Sequence, residues 1–176
     1  MKRKILSKSF FDRPTLVVAR ELLGKYIARR NGIALMITEV EAYDGPLDLA
    51  SHARRGITPR TKVMFGPAGV FYVYFTYGMH WMVNIVTGPK DYPAAILIRA
   101  GIKEDGTPVT GPARLTKYLN INKEQNGKCA GKTTGLWFED RSVRVARSKI
   151  IASKRIGVEY AGRVWAGKPY NLKIAP

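Results

Sequence analysis

Two carboxylates, Glu39 and Glu41, stand at the end of an apolar alternation formed by Ile33, Leu35 and Ile37, and Tyr43 follows in the same phase. In an extended chain these side chains share one face. A strand that simply leaves the core gives this pattern, and so does a strand that carries acids to the rim of a reaction site. In the second setting a carboxylate can accept a proton and stabilise a developing positive charge. A later apolar run, Ala94–Ile98, ends in Arg99, so a second strand can present a guanidinium at its rim much as the first presents Glu41.

A different chemistry is suggested where Tyr77, Gly78 and Met79 interrupt an aromatic stretch of Phe71, Tyr72, Tyr74, Phe75 and Trp81. Either the tip folds back and Tyr77 packs in the core, or Tyr77 is an apolar wedge that fills the gap left by an extruded nucleotide. Tyr72 and Tyr74 share one face by period two. Their rings can pack as core or sandwich a purine. Asn84 lies among Met82 and Val86, where a buried amide without a partner is costly, so it either caps a turn or lines a polar pocket.

The elements that must hold these residues begin with a short amphipathic helix from about Pro14 to Leu23, with Asp12 as its cap, Leu16, Ala19 and Leu23 on its apolar face, and Gly24 as its stop. Asn31-Gly32 predicts a hairpin turn between Lys25–Arg30 and the apolar run from Ile33. Asp44 to Pro67, rich in Gly, Pro and Arg, reads as a long surface loop. Val70–Phe75 and His80–Val86 form a second hairpin, and Thr110-Gly111-Pro112 opens a second helix with Leu115, Tyr118 and Leu119 on one face. Four later segments, Leu136–Phe138, Val143–Ala146, Ile156–Val158 and Asn171–Ile174, read as short strands. The pattern predicts a mixed α/β fold, built on a curved, mainly antiparallel β-sheet with flanking helices and a protruding β-hairpin.

With no repeat and no low-complexity linker in its 176 residues, the chain reads as one domain, 1–176. Thirty basic residues against 13 acidic ones give a net charge of +17, and with 45% hydrophobic residues this is a folded body with a basic surface. A polyanionic partner is implied, bound with a steep salt dependence. A single cysteine, Cys129, excludes an intrachain disulfide, and with only His52 and His80 no four-ligand zinc site can be assembled; no cofactor is expected. No stretch approaches the ~20 apolar residues of a membrane span, and the charged opening is not followed by a signal core. The expectation is an intracellular protein, cytoplasmic or nucleoid-associated, or nuclear in a eukaryote.

Taken together, Thr38 to Pro46, Ala50-Ser51-His52, Thr58-Pro59-Arg60, Phe71 to Met79, Asn84-Ile85 and Ile96 to Ala100 resemble the alkyladenine, or 3-methyladenine, DNA glycosylase family. The resemblance extends to Phe10-Phe11-Asp12, Gly111 to Leu115 and the stretch from Ala161-Gly162 to Lys168-Pro169, and so covers essentially the whole chain. It implies a monofunctional enzyme that flips a damaged purine from duplex DNA and hydrolyses its bond to the sugar. By this resemblance Glu41 is the general base and Arg99 helps position the attacking water. Tyr43, His52 and Tyr74 contact the flipped base, and Asn84 helps reject guanine. Tyr77 intercalates, Met79 and Tyr72 lie beside it, and Arg54, Thr58 and Arg60 fall where the family's loop meets the DNA backbone. That loop is one residue shorter here than in some relatives, and His80 replaces an aromatic residue. The resemblance also implies a monomer without a metal.

A non-catalytic module that stacks its tyrosines on single-stranded nucleic acid explains charge and aromatics equally well. A basic ribosome-associated protein is a third reading, and it predicts a preference for RNA. Neither accounts for Glu41, a carboxylate that repels phosphate.

Overall fold

The computed structural model describes residues 3–175. Its elements in chain order are β1 (Lys4–Ile5), α1 (Lys8–Phe11), α2 (Thr15–Leu22), β2 (Tyr26–Arg29), β3 (Ala34–Asp44), β4 (Phe71–Thr76), β5 (His80–Val86), β6 (Ala94–Lys103), β7 (Pro108–Thr110), α3 (Pro112–Tyr118), β8 (Leu136–Asp140), β9 (Ile150–Ser153), α4 (Gly162–Gly167) and β10 (Asn171–Ile174). The backbone of the fold is one antiparallel sheet in the order β1-β8-β2-β3-β6-β5-β4. The long β3 branches the sheet: its first half pairs with β2, its second half with β10, and β9 lies beyond β10. Mixed α/β architecture on a curled antiparallel sheet is therefore what the sequence pattern leads one to expect.

The centre of the sheet departs from simple alternation. Between Ile37 and Val40 the β3–β6 ladder carries two successive irregularities, Ile37 pairing with Gly101, Glu39 with Ala100, and Val40 with Ile98. Thr38 is thus an extra residue on β3 and Arg99 an extra residue on β6. Their effects on register cancel, but each strand's facing is inverted. Leu35 and Ile37 lie in the core before the irregularity, and Val40 and Ala42 lie in it after. The alternation read from the sequence, in which Glu39, Glu41 and Tyr43 continue the Ile33-Leu35-Ile37 face, is corrected here: the acids turn to the opposite side. Bulges commonly re-aim side chains beside functional sites. Strands approach so closely at this point that a Cβ on Gly101 would stand 2.7 Å from the Met36 carbonyl oxygen.

One face of the sheet packs against α2 and α3, with Val18, Leu22, Phe71, Ile85, Leu115 and Phe138 in a shared core. Each such side chain contributes about 1.5–3 kcal/mol through removal from water. The buried positions of α2 are Thr15, Val18, Ala19 and Leu22, a spacing of one helical face. The predicted apolar positions Leu16, Ala19 and Leu23 all meet this core, and Val18 and Leu22 join them. Leu16 is only partly buried, and Leu23 lies just past the helix in an extended conformation. Asp12 does not cap α2; Pro14 holds that place without a side-chain bond.

The hairpin turns at Asn31-Gly32 and at Tyr77-Gly78, and α3 behind Gly111-Pro112, stand where predicted. Two predicted strands do not form. Val143–Ala146 follows Ser142, whose φ of 64° turns the chain away from β8, and it packs over Gly24 instead of joining a ladder. Ile156–Val158 bends at Gly157, φ 73°, so the Ile156 amide and the Val158 side chain turn inward while the Ile156 side chain stays largely exposed, and no sheet edge forms. The segment between β3 and β4 is more than a surface loop: it contains 3₁₀ turns at His52–Arg55 and Lys62–Phe65 and buries Asp48, Ala50, Ala53, Thr61 and Met64. Among the described residues no helix is long and apolar enough to cross a membrane.

Candidate active site

On the face of the sheet opposite the main core, β3, β4, β5 and β6 form the floor and one wall of a cavity of about 330 Å³. That volume lies near the low end of small-molecule sites, roughly 300–1,000 Å³. The turn at His52 and the segment Ile156–Tyr160 supply the facing wall. Glu41, Arg99, Tyr43, His52, Tyr74 and Asn84 all line it, and so do Tyr72 and Tyr77. Met79, Arg54, Thr58 and Arg60 do not.

Glu41 is fully buried. A bare carboxylate in that position is prohibitive, so its partners are decisive. Its Oε1 accepts from the Ile156 amide at 2.8 Å and from Asn171 Nδ2 at 3.2 Å. Its Oε2 accepts from the Tyr43 hydroxyl at 3.0 Å, and Arg99 Nη1 lies 3.4 Å away. Burial, then the neighbouring Glu41 charge, pushes the Tyr43 phenol well above its ordinary range, so Tyr43 remains a donor.

Two of these partners come from the far end of the chain, and a buried ion pair brings one of them in. Arg155 and Asp48 are both fully buried, and Arg155 Nη2 donates to Asp48 Oδ1 at 2.9 Å. Arg155 Nη1 also donates to the Ala42 carbonyl at 2.9 Å, and its guanidinium lies 4.8 Å from the centre of the Tyr43 ring. This clamp fixes Arg155 beside β3 and so delivers the next amide, that of Ile156, to Glu41. Asn171 arrives by strand pairing, directly opposite Glu41 in the β3–β10 ladder.

The aromatic wall is equally connected. His52 Nδ1 and the Tyr72 hydroxyl are hydrogen-bonded at 3.0 Å, and the His52 ring meets Tyr74 edge-on at 4.7 Å. Burial, followed by the positive charges of Arg60 and Arg54, lowers the pKa of His52 from 6.5 to about 4. The ring is therefore neutral at physiological pH. Asn84 is buried with Nδ2 donating to the Tyr72 carbonyl at 3.0 Å, which fixes its amide in the wall. Arg60 stacks over Tyr74 at 4.8 Å and Arg54 over Tyr160 at 4.8 Å, both at the cavity's edge. Thr58 is turned onto its own loop, in reciprocal bonds with Thr61 at 2.8 and 3.1 Å. At the β4–β5 turn, Tyr77 is 83% exposed and Met79 66%.

Asp48, Ile156, Asn171, Arg155 and Tyr160 were not singled out from the sequence. Arg155 is one basic residue in a Lys154-Arg155 pair among many, and nothing local ties it to an aspartate 107 positions earlier. Glu39, on the same strand face as Glu41, has no task that the sequence alone assigns.

An acid at the floor of a tyrosine- and histidine-walled pocket, set in a body of charge +17, is the arrangement of an enzyme suited to a planar aromatic group carried on a polyanion. The methylpurine-DNA glycosylase (MPG) family model matches residues 9–175. A protein of Myxococcus xanthus is 45% identical over 176 residues, covering 96% of this chain and 89% of that protein. One from Methanocella arvoryzae is 42% identical across 90% of this chain and 86% of its own length. One from Wolbachia pipientis is 52% identical across 72% of this chain and 71% of its own. All three carry the provisional name 3-methyladenine DNA glycosylase. The chain belongs to the methylpurine-DNA glycosylase family, and it is a hydrolase of N-glycosyl bonds.

Proposed function

We propose that this enzyme acts alone, as a monomer, on duplex DNA inside the cell, flips an alkylated or deaminated purine into the cavity, and hydrolyses its bond to deoxyribose with water activated by Glu41. The observation that carries this reading is the fully buried Glu41 carboxylate at the cavity floor, held by Arg99, Tyr43, Asn171 and the Ile156 amide.

Flipping costs a few kcal/mol of stacking, and Tyr77, standing free at the hairpin tip with Met79 beside it, offsets part of that cost by filling the vacated stack. The flipped ring lies among Tyr43, His52 and Tyr74, with Tyr72 behind them. A neutral His52 leaves this pocket open to a cationic base such as 3-methyladenine or 7-methylguanine. Asn84, fixed by its bond to the backbone, cannot swing aside for the exocyclic amino group of guanine. Arg54 and Arg60 face the sugar-phosphate chain at the rim, and Thr58 orders the loop between them.

As the C1′–N bond lengthens, the sugar becomes an oxocarbenium-like cation and the bonding pair leaves with the purine. Glu41 stabilises that charge, and as water adds its oxygen to C1′ Glu41 takes up the water proton. Alkylation makes the ring cationic, so its departure is easy. Hypoxanthine and ethenoadenine are neutral and leave only with a proton delivered to the ring. Among the described residues no lysine lines the cavity, which supports hydrolysis by water over a Schiff-base route that also cuts the strand.

Base release from a duplex bearing one hypoxanthine or ethenoadenine, with alkali to reveal abasic sites, tests the reading. Glu41→Gln is expected to lower release by about 10²–10⁴-fold while duplex binding persists. Absence of release by the wild type, from these lesions and from alkylated DNA, would establish instead a non-catalytic module that binds damage or single strands.

A further inference from the structure

Glu39 is the acid that the reaction described above leaves without a task, and its geometry is unusual in one respect. Both donors that Glu41 shares with it lie closer to Glu39. Arg99 Nε donates to Glu39 Oε1 at 3.0 Å, whereas the nearest approach of Arg99 to Glu41 is 3.4 Å. Asn171 Nδ2 stands 2.8 Å from Glu39 Oε1 and 3.2 Å from Glu41 Oε1. An arginine beside a lone buried carboxylate normally closes a bidentate pair with it. Here the two acids divide one guanidinium, because the paired irregularities at Thr38 and Arg99 put all three side chains on the same side of the sheet.

We propose that Glu39 is a positioning residue: by holding Arg99 through Nε and drawing the Asn171 amide toward itself, it prevents Arg99 from closing onto Glu41 and keeps Glu41 reactive as a base. This rests on Glu41 being the base. The partly solvated Glu39 anchors Arg99, and Arg99 turns only its Nη1 toward the reaction. The groups that face Glu41 are then Tyr43 on its own strand, Arg99 on β6, Asn171 on β10 and the Ile156 amide, with Tyr74 across the pocket on β4 and Arg155 beyond Tyr43. Removing the charge of Glu39 deletes a like charge and frees the guanidinium to pair with Glu41, and both changes make the catalytic anion a weaker base.

The test is the pH dependence of single-turnover base release from a hypoxanthine duplex, for wild type, Glu39→Gln and Glu41→Gln. Glu39→Gln removes the charge that holds Arg99 and leaves only a neutral acceptor in its place, and it is expected to move the acid limb of the profile down by about one pH unit. Its plateau rate should fall about 3- to 10-fold with unchanged duplex affinity. A role in folding alone would lower the melting temperature and the active fraction and leave the limb where it is, and that result overturns the proposal. If Glu39→Gln does not fold, Glu39→Asp retains the charge but withdraws it from Arg99, and its limb must move in the same direction by a smaller amount or the proposal fails. Release that survives in Glu41→Gln defeats the assignment of the base itself, and this proposal with it; loss in Glu41→Gln with no limb shift in Glu39→Gln defeats only the role given to Glu39.

Discussion

At the floor of the cavity Glu41 is fixed by groups from β3, β6, β10 and the loop before α4, while at the tip of the β4–β5 hairpin Tyr77 and Met79 extend into solvent. The floor is ordered before any substrate arrives, as electrostatic catalysis requires, since donors that must reorient during the reaction lose their advantage. The tip is the reverse case. Tyr77 holds a φ of 52°, a left-handed conformation that disfavours any residue with a Cβ, and an exposed aromatic ring in such a turn stabilises nothing in the free protein. The molecule thus fixes one of its candidate groups in a buried network and leaves the other in a strained, exposed turn.

This contrast can be broken from either side. The largest change is expected from Arg155→Met, which strands the buried Asp48 carboxylate: urea denaturation should show a loss of about 3–5 kcal/mol. Adding Asp48→Leu removes the stranded charge but also the acceptor of the Asp44 and Ala50 amides, so it should restore only part of the stability, and not the rate of base release, because the Ile156 amide loses its anchor. Acid probes the aromatic wall. The pKa of His52 is about 4 folded against 6.5 ordinarily, so between these values the unfolded chain binds a proton that the folded one excludes. Stability is complete above that window and falls as pH drops through it, by at most about 3 kcal/mol. His52→Gln should flatten this portion of a pH–stability curve.

At the tip the same comparison predicts the opposite division of effects. Tyr77→Asn keeps a residue tolerant of positive φ and removes the ring. Its stability, read by thermal melting, should stay within about 0.5 kcal/mol of wild type. Base release should fall roughly 10- to 100-fold, the value of one stacking contact. Smallest of all is Thr58→Ala, which removes the hydroxyl that accepts from the Thr61 amide at 3.1 Å while the Thr58 amide keeps its bond to Thr61 Oγ1, and which should cost about 0.5–1.5 kcal/mol, read by thermal melting. A loss of duplex affinity larger than that of stability would show that Thr58 also touches the backbone.

How much of this was legible in the sequence follows the same division. Local signals were sufficient for the hairpins at Asn31-Gly32 and Tyr77-Gly78 and for the start of α3 at Gly111-Pro112, since turn chemistry acts over a few residues. Residue types alone left each candidate with two readings, a strand leaving the core or a rim for Glu39 and Glu41, core packing or stacking for the tyrosines, and the set was drawn together only by the family resemblance. What was illegible is long-range. Period-two reasoning put Glu41 on the core side of β3 because nothing at Thr38 announces the extra residue; the irregularity is a joint property of β3 and β6. Arg155 and Asn171 gain meaning only through partners more than a hundred positions away. The strand predicted at Ile156–Val158 failed for the same reason, since its amide serves Glu41 rather than a ladder.

The span of those contacts also sets an order of events during synthesis. A chain is made from its N-terminus, and the bonds from Ile156 and Asn171 to Glu41 reach back across 115 and 130 residues. The hairpin with Tyr77, and Arg54 and Arg60 beside it, therefore leave the ribosome long before the floor of the pocket can close. A chain that ended before Arg155 would carry the cavity's strands yet lack the groups from Ile156 and Asn171 that hold the Glu41 carboxylate. Glu41 acquires its full set of partners only after Asn171 has been made, so the strands that wall the cavity precede in synthesis the residues that hold the carboxylate at its floor.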